Sequence, residues 1–201
     1  MNAIFHLAAF VSVPKSTEQP EICNATNVTG TFNILEAARL NGVNRLVLSS
    51  SSAVYGDTDG TCTETDPCNP VSPYGASKLI GEVYCKNYTA SFGVNTVCLR
   101  YFNVYGPRQD PNAAYAAVVA KFTDQMKANK PITIFGDGLQ TRDFVHVDQV
   151  AEANLFAIMH APTIAGQIFN VATGESINLF ELIDLLKQDY PTYTGATVMA
   201  D

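Results

Sequence analysis

An α/β fold, with a parallel sheet covered by helices on both faces, is what this sequence predicts. Two observations carry the prediction. Short aliphatic runs such as Arg45-Leu46-Val47-Leu48 recur between longer stretches with helical spacing, so strand and helix alternate through the first half of the chain. The runs are apolar at consecutive positions, as expected of strands buried on both faces in a parallel sheet.

Each element can be justified in turn. Ala3-Ile4-Phe5-His6-Leu7-Ala8-Ala9 reads as a short buried strand that starts almost with the first residue. Domains seldom open in mid-sheet, and the expectation is that a preceding part is missing. A helix is predicted from about Pro20 to Leu40. Pro20 suits a first turn, Asn41-Gly42 a stop, and Ile34, Leu35, Ala38 and Leu40 mark the inner face. The strand at 45–48 runs into Ser49-Ser50-Ser51-Ser52, and a polar loop rich in Asp, Thr, Pro and Gly fills 56–72. The next helix spans Pro73 to Phe92 and closes on Gly93, before a strand at Thr96-Val97-Cys98-Leu99-Arg100.

The second half is less regular. A loop over 101–112 leads to a helix from about Tyr115 to Ala128, then a strand at Ile132–Phe135 and a turn at Gly136-Asp137-Gly138. Phe144-Val145-His146-Val147 is extended, and Asp148 is placed to N-cap a helix ending near His160. A strand at Ile168-Phe169-Asn170-Val171 and a helix from Leu179 to Leu186 complete the pattern.

Composition narrows the function classes. The 201 residues suit one domain, or a large piece of a bigger protein, and an apolar fraction of 47% permits a sizeable core. A net charge of −7 argues against a nucleic-acid partner. No apolar run approaches the roughly 18–20 residues of a membrane span, and Met1 is followed by no basic leader, so a cytoplasmic protein is expected. The five cysteines show no C-x-x-C and no metal spacing, which suits reduced thiols. The sequons at Asn24, Asn27 and Asn87 are expected to be unmodified without a secretory leader.

Chemistry enters at Tyr74-Gly75-Ala76-Ser77-Lys78. Of nine tyrosines, Tyr74 alone has a lysine four residues on, one turn away on the same helix face. A phenol, with a pKa near ~10, is a poor base at neutral pH, and a nearby ammonium favours its ionised form. The pair is therefore a candidate proton-transfer device. Ligands of open α/β sheets bind beyond the carboxyl ends of the strands. Ser51 and Ser52 stand at one such end and Tyr101-Phe102-Asn103 at another. Serine also caps strands and starts turns, so those hydroxyls have a plain structural reading as well.

Five motifs follow in one order: Leu7-Ala8-Ala9, Asn27-Val28-Thr29-Gly30-Thr31, Ser49–Gly56, Tyr74–Lys78 and Arg100–Arg108. Gly136-Asp137-Gly138-Leu139-Gln140-Thr141-Arg142-Asp143-Phe144-Val145-His146-Val147 extends the series. This order resembles the extended short-chain dehydrogenase/reductase family, and within it the NAD-dependent nucleotide-sugar 4-epimerases that act on UDP-glucose or UDP-N-acetylglucosamine. The resemblance covers nearly the whole chain. It implies a Rossmann-type sheet holding NAD and a UDP-sugar substrate held by the second half. Tyr74 would take a proton from the sugar 4-hydroxyl, and Lys78 would lower its pKa and hold the cofactor ribose. Ser51, with Ser52 as the fallback, would bridge Tyr74 and the hydroxyl. Hydride would leave C4 for NAD and return to the opposite face. Leu7, Ala8, Asn27, Ser49, Tyr101 and Phe102 match cofactor-lining positions.

On the substrate side, Asn103 matches a diphosphate contact, and Arg142 would grip the same diphosphate with its fork. An ion pair of Arg142 with Asp143 or Asp148 is the structural alternative. Ile134-Phe135 either flanks the uracil or is a plain core strand. The run from Arg108 to Val118, which includes Ala117 and Val118, looks like the branch acting on UDP-N-acetylhexosamines or their uronic acids. Dehydratases and decarboxylases of the family carry an acidic residue just after the catalytic Ser/Thr. Here the stretch is Ser52-Ala53-Val54, which favours epimerisation.

The pattern also departs from the family. The Gly-rich turn that cradles the NAD pyrophosphate does not occur, since the first glycine is Gly30. The expectation is a central piece of an epimerase. Residues 1–103 would be the later part of an NAD-binding domain, and 104–201 mainly a substrate-binding region interleaved with late sheet elements. Such a piece is expected to bind NAD weakly and to show no turnover alone, which calorimetric titration would check. A non-catalytic nucleotide-sugar-binding module is the reading from a different class. A homodimer through the Tyr74 helix is implied by the family.

Overall fold

The computed structural model describes residues 2–58, 60–110 and 118–200. In chain order the elements begin with β1 (Ile4–His6), α1 (Val13–Glu18), α2 (Pro20–Cys23), a π-helical segment (Asn24–Thr29), α3 (Gly30–Leu40) and β2 (Arg45–Ser51). A 3-10 turn (Ser52–Val54), α4 (Pro73–Phe92), β3 (Asn95–Tyr101), β4 (Asn103–Tyr105), α5 (Val118–Lys127) and β5 (Ile132–Phe135) follow. The chain continues through β6 (Arg142–His146), α6 (Val147–His160), β7 (Ile168–Val171), β8 (Ser176–Ile177), α7 (Leu179–Asp189) and β9 (Thr197–Ala200). These elements form two compact units, Met1–Phe102 with Gln149–Val171 and Asn103–Asp148 with Ala172–Asp201.

The first unit holds the parallel sheet, in the order β1-β2-β3-β7. Register sets His6 beside Leu48 and Ser51 beside Tyr101, so the carboxyl ends of three strands share one rim. Leu35 of α3, Leu46 and Leu48 of β2, Cys85 and Tyr88 of α4, and Cys98 of β3 pack into its core. Burial of each such aliphatic side chain is worth roughly 1.5–3 kcal/mol. α4 keeps the span read from the sequence. The Ser72 hydroxyl accepts from Gly75 N at its start, Pro73 occupies the first turn, and Gly93 at φ 70° closes it in the left-handed conformation.

The second unit contains a three-stranded sheet, β4-β6-β8, and a parallel pair, β5-β9. Phe122 and Met126 of α5, Ile132 and Ile134 of β5, and Leu179, Leu182 and Ile183 of α7 form its core. A capping box between Asn178 and Glu181 starts α7.

Several expectations need correction. The helix expected over Pro20–Leu40 is interrupted by the π segment, and α1 precedes it unforeseen. β1 is only three residues long, and the loop over 101–112 contains β4, which pairs with β6. α6 begins at Val147, so Asp148 lies in its first turn and is not its cap. α7 extends to Asp189. The expected start of the helix at Tyr115 lies outside the described residues, as does Ala117. No helix among the described residues is long and apolar enough to cross a membrane, and no group of three or more metal-ligating side chains occurs among them.

Candidate active site

α4 is drawn tightly onto the 3-10 turn that follows β2. A Cβ on Gly75 would lie 2.5 Å from Ala53 O and 3.0 Å from Pro70 Cβ, so glycine is what permits the approach. The main-chain N–H of Tyr74 donates to the buried Ser16 hydroxyl of α1 at 3.1 Å, fixing the first turn from the other side. The result places Tyr74 at the carboxyl end of β2. There the Ser51 hydroxyl stands near enough to the phenol to favour its ionised form. The same Ser51 oxygen accepts from Ala53 N at 3.2 Å. Ser52 begins the 3-10 turn and makes no such contact. Of the two candidate serines, Ser51 is the one at the phenol.

Lys78, one turn on, is 6% exposed and donates to Ser49 O at 2.7 Å. Its ammonium stands over the Tyr74 ring, 5.8 Å from the centroid. This geometry modifies one expectation. Burial pushes the Tyr74 phenol above its ordinary value, and the nearby Ser51 hydroxyl opposes that rise in part. Lys78 faces the ring and does not hold the phenol below its ordinary value. Burial also lowers Lys78 itself, to about 8. His6, at the end of β1, bonds Thr31 Oγ1 at 3.0 Å, and its pKa is lowered by burial and by the Lys78 charge.

The expected cofactor positions gather near this rim. Leu7 and Ala8 follow β1 and are exposed. Ser49 and Tyr101 sit on adjacent strands, and the Tyr101 hydroxyl donates to Asn154 Oδ1 of α6 at 3.0 Å. Phe102 N donates to Val171 O, and the Phe102 ring lies 6.4 Å from that of Tyr55. Asn27 is differently employed. It is buried and grips the main chain of Phe10 at both N (2.7 Å) and O (3.0 Å), and it donates to Ser77 Oγ at 2.9 Å. Its side chain organises the α2–α4 region.

Within the second unit, a cavity of about 470 Å³ is lined by Asn103, Val118, Lys121, Phe135 and Arg142, among others. Arg142 is exposed and donates to Thr141 O at 2.8 Å. The alternative ion pair does not form. Asp143 takes Thr173 N, Thr173 Oγ1 and Gly174 N on its carboxylate, and Asp148 lies 3.4 Å from His146 Nδ1. The Asn103 amide donates to Asp143 O at 3.0 Å and so ties β4 to β6. Ile134 is fully buried in the core, whereas Phe135 is 57% exposed at the cavity. Lys121 had no signal in the sequence beyond its place one turn after Val118. Its ammonium lies 5.6 Å from the Phe135 ring centroid.

Residues 1–172 match the NAD dependent epimerase/dehydratase family. The chain belongs to this family. A UDP-glucose 4-epimerase from Mycolicibacterium smegmatis is 45% identical over 183 residues, 90% of this chain and 58% of that protein. Among solved structures, a UDP-N-acetylglucosamine 4-epimerase from Methanobrevibacter ruminantium, in complex with UDP-N-acetylmuramic acid, superposes with a TM-score of 0.93 at 36% identity. The match covers 100% of this chain and 64% of that one. The UDP-glucose 4-epimerase of Thermus thermophilus, solved with NAD, gives 0.88 at 37% identity over 98% of this chain and 64% of its own. The chain thus spans about three fifths of the length of its curated relatives, 58% in the case above and 61% in another. In this epimerase/dehydratase chain the Ser51, Tyr74 and Lys78 cluster lies in the first unit, and the Arg142 cavity in the second.

Proposed function

We propose that the protein carrying this chain is an NAD-dependent UDP-hexose 4-epimerase, with UDP-glucose or UDP-N-acetylglucosamine as substrate. The observation that carries the reading is the cluster of Ser51, Tyr74 and Lys78 at the strand ends of a chain similar to such epimerases.

The residues present fit NAD on two counts. Lys78 has three N–H donors, of which Ser49 O takes one, leaving donors for ribose hydroxyls. The exposed Leu7 and Ala8 offer an apolar floor beyond β1. NAD, when bound, supplies a reversible two-electron acceptor for the sugar C4. The protein handles the proton. Tyr74 takes it from the 4-hydroxyl, and Ser51 bridges phenol and sugar oxygen. Ala53 offers no carboxyl to protonate a leaving hydroxyl, which supports epimerisation over dehydration. Arg142 and Asn103 would hold the diphosphate, with Val118 and Phe135 of the cavity near the uracil; Ile134, buried in the core, is of the set expected there. Ala117 belongs to the same expected set.

The free cysteines, three of them buried and two half-buried, suit a cytoplasmic location. Exposed Ile80 and Val83 on α4, with Phe32 on α3, support a homodimer through these helices. The test is incubation of the natural protein carrying these residues with NAD and each UDP-sugar, followed by NMR at C4. Inversion at C4 is expected. A 4-keto-6-deoxy product would mark a dehydratase, and binding of UDP without turnover a nucleotide-sugar-binding module.

A further inference from the structure

Behind the Ser51–Tyr74 contact lies a buried polar network that the proposed chemistry does not use. Arg100 Nε and Nη2 donate to Glu82 Oε1 and Oε2 at 2.9 and 2.8 Å. The two side chains are 3% and 2% exposed. Ser50 Oγ donates to Glu82 Oε1 at 2.5 Å, and Arg100 Nη1 to the Tyr55 hydroxyl at 2.8 Å. The Tyr55 hydroxyl donates to Asn170 Oδ1 at 2.7 Å, and Asn170 Nδ2 donates to Cys62 O at 3.0 Å.

We propose that the buried Glu82–Arg100 pair is the positioning device that holds Ser51 against Tyr74. This rests on the catalytic reading of Ser51 and Tyr74 given above.

Each network member adjoins an element of the site. Ser50 precedes Ser51 on β2, and Arg100 precedes Tyr101 on β3. Glu82 lies one turn beyond Lys78 and two beyond Tyr74 on the buried face of α4. Tyr55 follows the 3-10 turn that begins directly after Ser51. Three consecutive strand residues therefore meet three turns of one helix, with Ser49 on Lys78, Ser50 on Glu82 and Ser51 on Tyr74.

Taking both ions out of water costs several kcal/mol each, and apolar residues of similar volume often stabilise a core as well or better. Stability alone gives little reason for the pair. Direction does. The bidentate fork fixes Arg100 in the carboxylate plane, and the remaining donor is aimed at Tyr55. The network sets the angle between α4 and β2, and that angle sets how closely the Ser51 hydroxyl faces the Tyr74 phenol.

The test uses Ser50→Ala, Glu82→Gln and the double variant Glu82→Met/Arg100→Met in the natural protein. Ser50→Ala removes one hydroxyl and leaves the ion pair. The double variant replaces the pair by apolar side chains that can fold. Two readouts are taken. One is the titration of the Tyr74 phenol without substrate, by ultraviolet difference against the same variant carrying Tyr74→Phe. The other is kcat and KM for the UDP-sugar with NAD bound. The groups facing Tyr74 stay intact throughout: Lys78 from α4, Cys23 from α2 and Ser51 from β2, with His6 of β1 facing Lys78.

The expected result is a phenol midpoint displaced upward in all three variants. kcat should fall about 10- to 100-fold in the folded double variant, with KM nearly unchanged. A lowered melting temperature with an unchanged midpoint and unchanged kcat would overturn the proposal. A displaced midpoint in a protein that turns over no UDP-sugar would support the positioning role while removing the epimerase reading.

Discussion

The ammonium of Lys78 donates to the main-chain oxygen of Ser49 across 2.7 Å, in a site where it is only 6% exposed. A buried cation with one fixed acceptor is held below its ordinary pKa of 10.5, at about 8. In the window from about 8 to 10.5 the unfolded chain binds a proton at this residue that the folded chain does not. Stability therefore rises with pH through that window from this residue. Urea midpoints of wild type and Lys78→Met, compared at both ends of the window, are expected to diverge in favour of wild type. The divergence should be on the order of 2–3 kcal/mol.

Tyr74→Phe is expected to lower turnover by about 10²–10⁴-fold while leaving the affinity for UDP unchanged. The ring stays in its buried place, and the Tyr74 N–H still donates to Ser16 Oγ, so the melting temperature should change little. Steady-state kinetics beside calorimetric UDP titration separates the two effects.

Two glycines of α4 should behave differently when changed to alanine. At Gly75 the new methyl meets Ala53 O at 2.5 Å, a main-chain atom that cannot turn aside. A loss of about 1–3 kcal/mol is expected, together with impaired turnover as Tyr74 is levered from Ser51. At Gly81 the nearest atoms are Leu48 Cδ2 at 3.1 Å and Thr31 Cγ2 at 3.8 Å, both on side chains. There the gain in helix propensity, about 1 kcal/mol, offsets the repacking. Urea unfolding of both variants reads the contrast directly.

Arg142→Ala is expected to weaken UDP binding by about 10- to 100-fold, as loss of a charge-assisted hydrogen bond does. The side chain is exposed and holds only Thr141 O, so stability should be unaffected. Arg142→Lys keeps the charge but loses the fork and should restore only part of the affinity. Calorimetric titration with UDP checks all three proteins.

Much of this was legible in the residues because the signals were local. Ser72-Pro73 and Gly93 bound α4 by capping chemistry alone, and the apolar runs of β2 and β3 report burial on both faces. What was not legible depends on pairing between distant segments. β4, β8 and β9 are two to four residues long and exist only through partners far along the chain. Within the π segment Asn27 reaches back to Phe10, a tie that no helical periodicity reveals. At the site, the motif order pointed to Ser51, Tyr74 and Lys78. The relation between ring, hydroxyl and ammonium had to come from three dimensions. Lys121 was missed because a lone lysine on a polar helix face carries no pattern.

The tie between Tyr55 and Asn170 spans 115 residues. β7, which carries Asn170, completes the parallel sheet only after the chain has run through the whole stretch from Asn103 to Asp148. Closing so long a loop is entropically slow, and contacts of this sequence separation dominate folding times. During synthesis β3 must therefore wait as an open edge, with the Tyr55 hydroxyl short of its acceptor on Asn170, until residues 168–171 have left the ribosome. Folding intermediates of this unit should accumulate with β1–β3 already protected against amide exchange and β7 still open.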